Sequence, residues 1–210
     1  MKKTVIAISR TYGSHGTVVG RELAAKLGVP MFDKKIIEMA AEKSGLSPDY
    51  IDNLETHASS SFLFNLASST YQAGAAAAGI AHFYDLPMSY TAFSAQTTVI
   101  KDLAQRGSCV IIGRCSDYIL RSDLNCVKVF LYAEEADRIE QAKKEFGMND
   151  KAAAAQVKKM SKGRANYYKN FTGETWGQAL SHDLTINTTK VGAGGAVEVI
   201  LAYLRQTGAM

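Results

Sequence analysis

The sequence predicts an α/β protein: a parallel sheet covered by helices on both faces, with a helical insertion between two of its strands. Three observations predict it. Short β-branched apolar runs recur at 4–8, 109–112, 127–132 and 184–187, the pattern of strands buried on both faces. Segments with helical spacing separate them, which calls for right-handed crossovers and a parallel sheet. Between the first of these runs and the next lies a long stretch, about 36–104, with no strand pattern at all.

The first run, 4–8, leads through a glycine-bearing turn into a helix over 16–27. There Val19, Leu23 and Leu27 recur every four residues, and Gly28-Val29-Pro30 ends the segment. Met31-Phe32-Asp33 reads as a very short strand, and Asp33 reads equally as the cap of a helix over 34–43 whose Ile36, Ile37, Met39 and Ala40 face inward. Ser47-Pro48 starts another helix, serine as cap and proline in the first turn. From 59 to 106 the Ala, Ser and aromatic content fits two helices broken near Leu86-Pro87-Met88. After the strand at 109–112 and the turn Gly113-Arg114 comes the strand at 127–132. A helix over 134–146 follows, acidic early and lysine-rich late, as the helix dipole favours. Residues 152–168 read as helix, 184–187 as the last strand and 196–204 as a closing helix.

At 210 residues and 47% hydrophobic composition the chain can bury a core as one domain. The net charge of +4 suits phosphorylated small molecules but lacks the concentrated basic stripe of a nucleic-acid binder. Lys158, Lys159, Lys162 and Arg164 make only a small basic cluster. Three cysteines and four histidines are too scattered for a local metal motif, which fits free thiols in a reducing cytoplasm. No run is long enough to span a membrane. A cytoplasmic location without nucleic-acid or membrane partners is the expectation.

The chemistry concentrates in Ile8-Ser9-Arg10-Thr11-Tyr12-Gly13-Ser14-His15-Gly16-Thr17, between the first strand and the first helix. As a literal G-x-x-x-x-G-K-[ST] loop it fails, because only Thr17 fits and Gly16 stands where the lysine belongs. Its physics is nonetheless that of an anion site. Gly13 and Gly16 let backbone N–H groups turn towards one anion, the helix adds its positive end, and Ser14 and Thr17 supply hydroxyls. Arg10 is placed to supply the missing charge. Arg21 lies about 140° round the helix from Gly16 and points elsewhere. The plain alternative is a glycine-rich turn that binds nothing. A dinucleotide fold fits worse, since Gly13, Gly16 and Gly20 do not make G-x-G-x-x-G.

Residues 6–24 align without gaps to the first motif of bacterial cytidylate kinases, I-A-I-D-G-P-A-G-S-G-K-S-T-V-A-K-x-L-A. The nearer match is to the cytidylate kinase-like family, a divergent branch that opens I-S-R-x-Y-G-S-x-G. Cys109-Val110-Ile111-Ile112-Gly113-Arg114-Cys115, Arg164-Ala165-Asn166-Tyr167-Tyr168 and Thr172-Gly173-Glu174-Thr175-Trp176 resemble its further landmarks, so the likeness covers nearly the whole chain. The resemblance implies a P-loop kinase fold of the nucleoside monophosphate kinase type. That fold is a three-layer parallel sheet of about five strands, with core at about 1–35 and 105–210, a helical acceptor-binding insertion at about 36–104 and a lid at about 158–176.

By position, the resemblance gives Gly13, Ser14, His15, Gly16 and Thr17 to the donor phosphates of ATP and the Thr17 hydroxyl to Mg²⁺. Asp33 and Arg114 go to the acceptor, and Arg10 and Arg164 to the transferred phosphoryl group. Each has a plain alternative: Asp33 as a cap, Arg114 in a surface ion pair, Arg164 in an exposed basic helix, His15 as a loop-shaping hydrogen bonder. Arg138 reads as a surface partner of Glu134. The sequence departs from cytidylate kinases at Gly16, Ser9, Cys115 and Ser161, where that family has lysine or aspartate. Two functions therefore stand. One is ATP- and Mg²⁺-dependent phosphoryl transfer to a small acceptor such as CMP; the other is a non-catalytic nucleotide- or anion-binding protein on the same fold. The apolar insertion exceeds what a small acceptor needs, which leaves room for a homodimer.

Overall fold

The computed structural model describes residues 3–57 and 88–209. The expectations for 59–87, including the helix break near 86–88, lie outside the described residues. Strand β1 (Val5–Arg10) is central, and the sheet order is β2 (Met31–Phe32), β3 (Cys109–Ile112), β1, β4 (Cys126–Tyr132), β5 (Leu184–Asn187). Every pairing is parallel, with Val5 opposite both Cys109 and Cys126. The expected five-stranded parallel sheet is therefore present. β1 runs two residues further than expected and ends at Arg10.

Alternation along β1 divides the interior in two. Val5 and Ala7 face a core shared with α2 (Lys34–Ser44), α3 (Pro48–His57) and α4 (Met88–Arg106), while Ile6 and Ile8 face one shared with α1 (Gly16–Leu27) and α8 (Thr188–Gln206). Ser47 caps α3 through its hydroxyl, which accepts from the Tyr50 N–H at 3.2 Å. After β3 comes a short helix, α5 (Ser116–Ile119), absent from the sequence reading because one turn leaves no periodicity.

α6 (Glu135–Phe146) and α7 (Asp150–Thr172) pack on each other, and Asn149 caps α7. α7 exceeds the expected 152–168 at both ends, and α8 begins well before 196. A break at Gly192, φ 68° and ψ 176°, divides α8 and explains why its first part lacks continuous helical spacing. β1 changes neighbours between β3 and β4, so the turns after β1 and β3 open at the same edge of the sheet, where open α/β folds place ligands.

Candidate active site

The turn after β1 is built to leave amides free. Ser14 is buried, and its hydroxyl donates to the Thr11 carbonyl at 2.8 Å. Gly13 (φ 81°) and His15 (φ 59°) are both left-handed. His15 occupies the N-cap position of α1 without any side-chain cap bond, so the first N–H groups of the helix lack an intrahelical partner and point outward. They face a cavity of about 370 Å³ whose lining includes Arg10, Gly13, His15, Thr17, Arg21 and Arg164. Arg21 therefore reaches the cavity, contrary to expectation. A neighbouring cavity of about 280 Å³ shares His15 and Gln141 with the first and extends to Thr188 and Thr189.

Gly16 and Arg10 are fitted to each other. A Cβ on Gly16 would lie 2.5 Å from Arg10 Cγ and 2.8 Å from its Cβ. A side chain at position 16 and the present Arg10 thus compete for one space. The guanidinium continues over Gly113, where an added Cβ would strike Nη1. Arg10 is threaded between two glycines and ends between Asp33 (3.8 Å) and Glu55 (3.9 Å). Burial and the nearby Arg164 lower its pKa to about 10, despite the opposing pull of Glu55 and Asp33. It remains a cation at neutral pH.

Asp33 stands at the start of α2, but its side chain makes no cap hydrogen bond. It accepts from the Thr17 hydroxyl at 3.2 Å instead, which joins the end of β2 to the first turn of α1. Arg114 is 5% exposed, so the surface ion pair is not its role. It sits in a left-handed run, Gly113 (φ 69°), Arg114 (φ 57°) and Cys115 (φ 55°). Each of the two non-glycine positions costs on the order of 1–3 kcal/mol. Its guanidinium meets Asp52 at 2.5 Å and Glu55 at 3.4 Å. Arg164 is also turned inward from α7, while Lys158, Lys159 and Lys162 are exposed. Its Nη1 donates to the Arg10 carbonyl at 3.0 Å, its Nε lies 3.1 Å from Glu55, and its guanidinium sits 5.9 Å from the Tyr12 ring centre.

Three guanidinium groups from β1, the turn after β3 and α7 therefore meet at one carboxylate, Glu55 of α3. Sequence reasoning missed both Glu55 and Asp52. The available signal was local: Glu55 is four residues after the fully buried Ile51 and so shares the inward face of α3. Burial by itself raises the Glu55 pKa, but Arg114, Arg164 and Arg10 together pull it down to about 2. Removing this carboxylate would leave buried guanidinium charge uncompensated, a loss on the order of 3–5 kcal/mol.

Arg138 does not pair with Glu134: Glu134 meets Lys190 at 3.0 Å, and Arg138 donates to the Ser161 hydroxyl at 3.3 Å. The backbone of Arg138 lies against Gly13, where a Cβ would approach it to 2.9 Å. Beside the arginine cluster, the His182 ring faces the Gln178 carbonyl (3.0 Å) and Asp117 Oδ2 (3.1 Å). Both are acceptors, an arrangement that favours the imidazolium, whose two ring nitrogens both donate. Burial lowers its pKa, but the bonds to Asp117 and Gln178 outweigh that and raise it.

Among the described residues there is no cluster of three or more His, Cys, Asp or Glu side chains able to hold a metal by themselves. One hydroxyl and one carboxylate at Thr17 and Asp33 fit Mg²⁺, which is bound through few protein groups together with substrate phosphates. No helix among the described residues is long and apolar enough to cross a membrane.

Comparison with known proteins bears on the family and the fold. The sequence profile described as "Cytidylate kinase-like family" matches residues 5–190. An uncharacterised protein from Eubacterium ventriosum superposes with a TM-score of 0.71 at 21% identity, covering 97% of this chain and 99% of that one. Shikimate kinase from Bacteroides thetaiotaomicron gives 0.55 at 13% identity, covering 96% and 98%. Shikimate kinase from Acinetobacter baumannii, in complex with shikimate, gives 0.53 at 15%, covering 98% and 94%. No curated protein matches. These likenesses establish the fold as that of P-loop kinases.

Proposed function

The chain belongs to the cytidylate kinase-like family, and on that premise we propose that it transfers a phosphoryl group from ATP to a small acceptor, such as the nucleoside monophosphate CMP. One observation carries the reading: an open helix N-terminus lines a single cavity together with Arg10 and Arg164 from separate elements, and Arg114 stands beside them. Phosphoryl transfer needs little covalent chemistry from the protein. It needs alignment, and positive charge where negative charge spreads in the transition state.

In this reading the amides of Gly13–Thr17 hold the donor phosphates. The adjoining cavity towards Thr188 and Thr189 takes the donor's nucleoside. Thr17 and Asp33 would hold Mg²⁺, which would supply positive charge to offset that of the phosphates. Arg10 replaces the absent lysine, and its threading over Gly16 supports substitution of one cation for the other. Arg164 draws α7 onto the donor side as a lid, and Arg114 takes the acceptor, since a planar fork suits an oxyanion. The 36–104 segment would form the acceptor side. Incubation with MgATP and a panel of nucleotide and metabolite acceptors, followed by ADP formation, tests the proposal. Turnover with one acceptor class supports it, and a folded protein inert towards all of them contradicts it.

A second reading, a non-catalytic nucleotide or anion sensor, is favoured by one feature. The three guanidinium charges are matched by Asp33, Asp52 and Glu55, which leaves the described cluster formally neutral. Calorimetric binding of ATP without turnover would select this reading.

A further inference from the structure

We propose that the Glu55 carboxylate is an internal stand-in for a phosphate: it holds Arg10, Arg114 and Arg164 together in the free protein and must leave when a phosphate-bearing ligand binds. The inference rests on the anion-binding part of the functional reading, not on turnover.

The geometry of the cluster is that of a mismatched ligand. Three guanidinium groups offer many more N–H donors than two carboxylate oxygens accept. Arg10 stays at 3.9 Å from Glu55, too far for a hydrogen bond. Arg114 Nη1 is 3.4 Å away, and among the described residues neither it nor the buried Nε meets an acceptor in hydrogen-bond geometry. Arg164 Nε is close, at 3.1 Å, yet out of line. A phosphate brings three strong acceptor oxygens and about twice the charge, and suits converging planar forks better. Beside Glu55 the remaining free space, lined by Arg10, Arg114 and Arg164, is only about 10 Å³, enough for a water but not for an oxyanion. A phosphate that is to meet Arg114 together with Arg10 and Arg164 needs the place Glu55 now holds.

The position also fits. Arg10 and Arg164 line the donor cavity, Arg114 does not, and Glu55 bridges all three. Its carboxylate therefore stands between the donor loop and Arg114. Glu55 is ionised throughout the neutral range, so it does not vacate that place by taking up a proton. Competition from an anion is what releases it. Without Glu55 the cluster changes from formally neutral to a net positive charge, which is the state suited to holding phosphate.

The test is inorganic phosphate binding to the full chain at constant ionic strength, measured by calorimetry for wild type and Glu55→Gln. The amide keeps the shape and removes the charge. The variant should melt lower in chloride buffer, regain much of that loss in phosphate, and bind phosphate at least ~10-fold more tightly than wild type. Equal or weaker phosphate binding, with no recovery of stability, makes Glu55 a plain structural counter-ion and overturns the proposal. Should Glu55→Gln not fold, hydrogen exchange on wild type decides. Saturating phosphate should speed exchange in Pro48–His57 by at least ~3-fold, as the helix loses its anchor, and slower exchange there overturns the proposal.

Two arms identify the source of the phosphate. Phosphate that binds beside MgADP but not beside a non-hydrolysable MgATP analogue occupies the place of the transferred group. Phosphate that binds beside both occupies that of an acceptor. A gain in phosphate affinity without ADP formation from any acceptor would sink the kinase reading and leave the stand-in intact. Turnover with unchanged phosphate affinity would do the reverse.

Discussion

At the residue scale, positions 10 and 16 share one space. Because Arg10 lies where a side chain at 16 would go, a lysine cannot simply be added back. Gly16→Lys should lower stability by about 1–3 kcal/mol through overpacking. Arg10→Ala should cut turnover by about 10²-fold or more while the fold persists. In the double variant the lysine stem gains the room that Arg10 left, so its loss of stability should be smaller than the sum of the two single losses, a coupling that a double-mutant cycle by denaturant unfolding measures. The vacancy at 16 was legible in the sequence, and so was Arg10 as a candidate replacement. The steric linkage was not, because it depends on how the extended end of β1 directs its last side chain across α1. Glu55 was less legible still. It reads as one acidic residue on an ordinary amphipathic helix until three distant segments converge on it. Its depressed pKa has a defined consequence. The stability it contributes is fully present above its unfolded value of 4.5 and is lost as pH falls through about 2. Wild type should lose stability across that window in acid titrations followed by circular dichroism, and Glu55→Gln should lose less.

At the scale of elements the site is held by contacts between helices and turns. The loop after β1 is clamped by α6, where Gly13 meets the Arg138 backbone at a left-handed φ. Gly13→Ala has neither the space nor the conformation, and backbone cannot yield as a side-chain tip does. It should cost about 1–3 kcal/mol and weaken nucleotide binding along with it, which thermal melts with and without MgATP would show. Helix α5, which follows β3, is tied to the segment before β5 by the His182–Asp117 pair. Since the His182 pKa is raised, its stabilisation is complete below the unfolded value of 6.5 and fades as pH climbs through the higher folded value. Melting temperature should fall on that alkaline side in wild type, and His182→Gln should remove this dependence. The sequence announced the strands and most helices through periodicity and caps. It was silent on α5, too short to repeat, and on the first part of α8, divided by Gly192.

At the scale of the whole molecule, alternation of strand and helix was enough to predict a covered parallel sheet, because buried strands and amphipathic crossovers leave few other arrangements. The order that puts β1 between β3 and β4 brings the Gly13 loop, Gly113-Arg114 and α7 to one edge. Residue spacing alone does not reveal that convergence, since it comes from register and crossover geometry. The most direct measurement is a crystal structure with Mg²⁺ and a non-hydrolysable ATP analogue. The phosphates should lie on the amides of Gly13–Thr17, with the Arg10 and Arg164 guanidinium groups within hydrogen-bond distance of them. Phosphates bound elsewhere, or both arginines directed away from them, would contradict the proposed phosphate site.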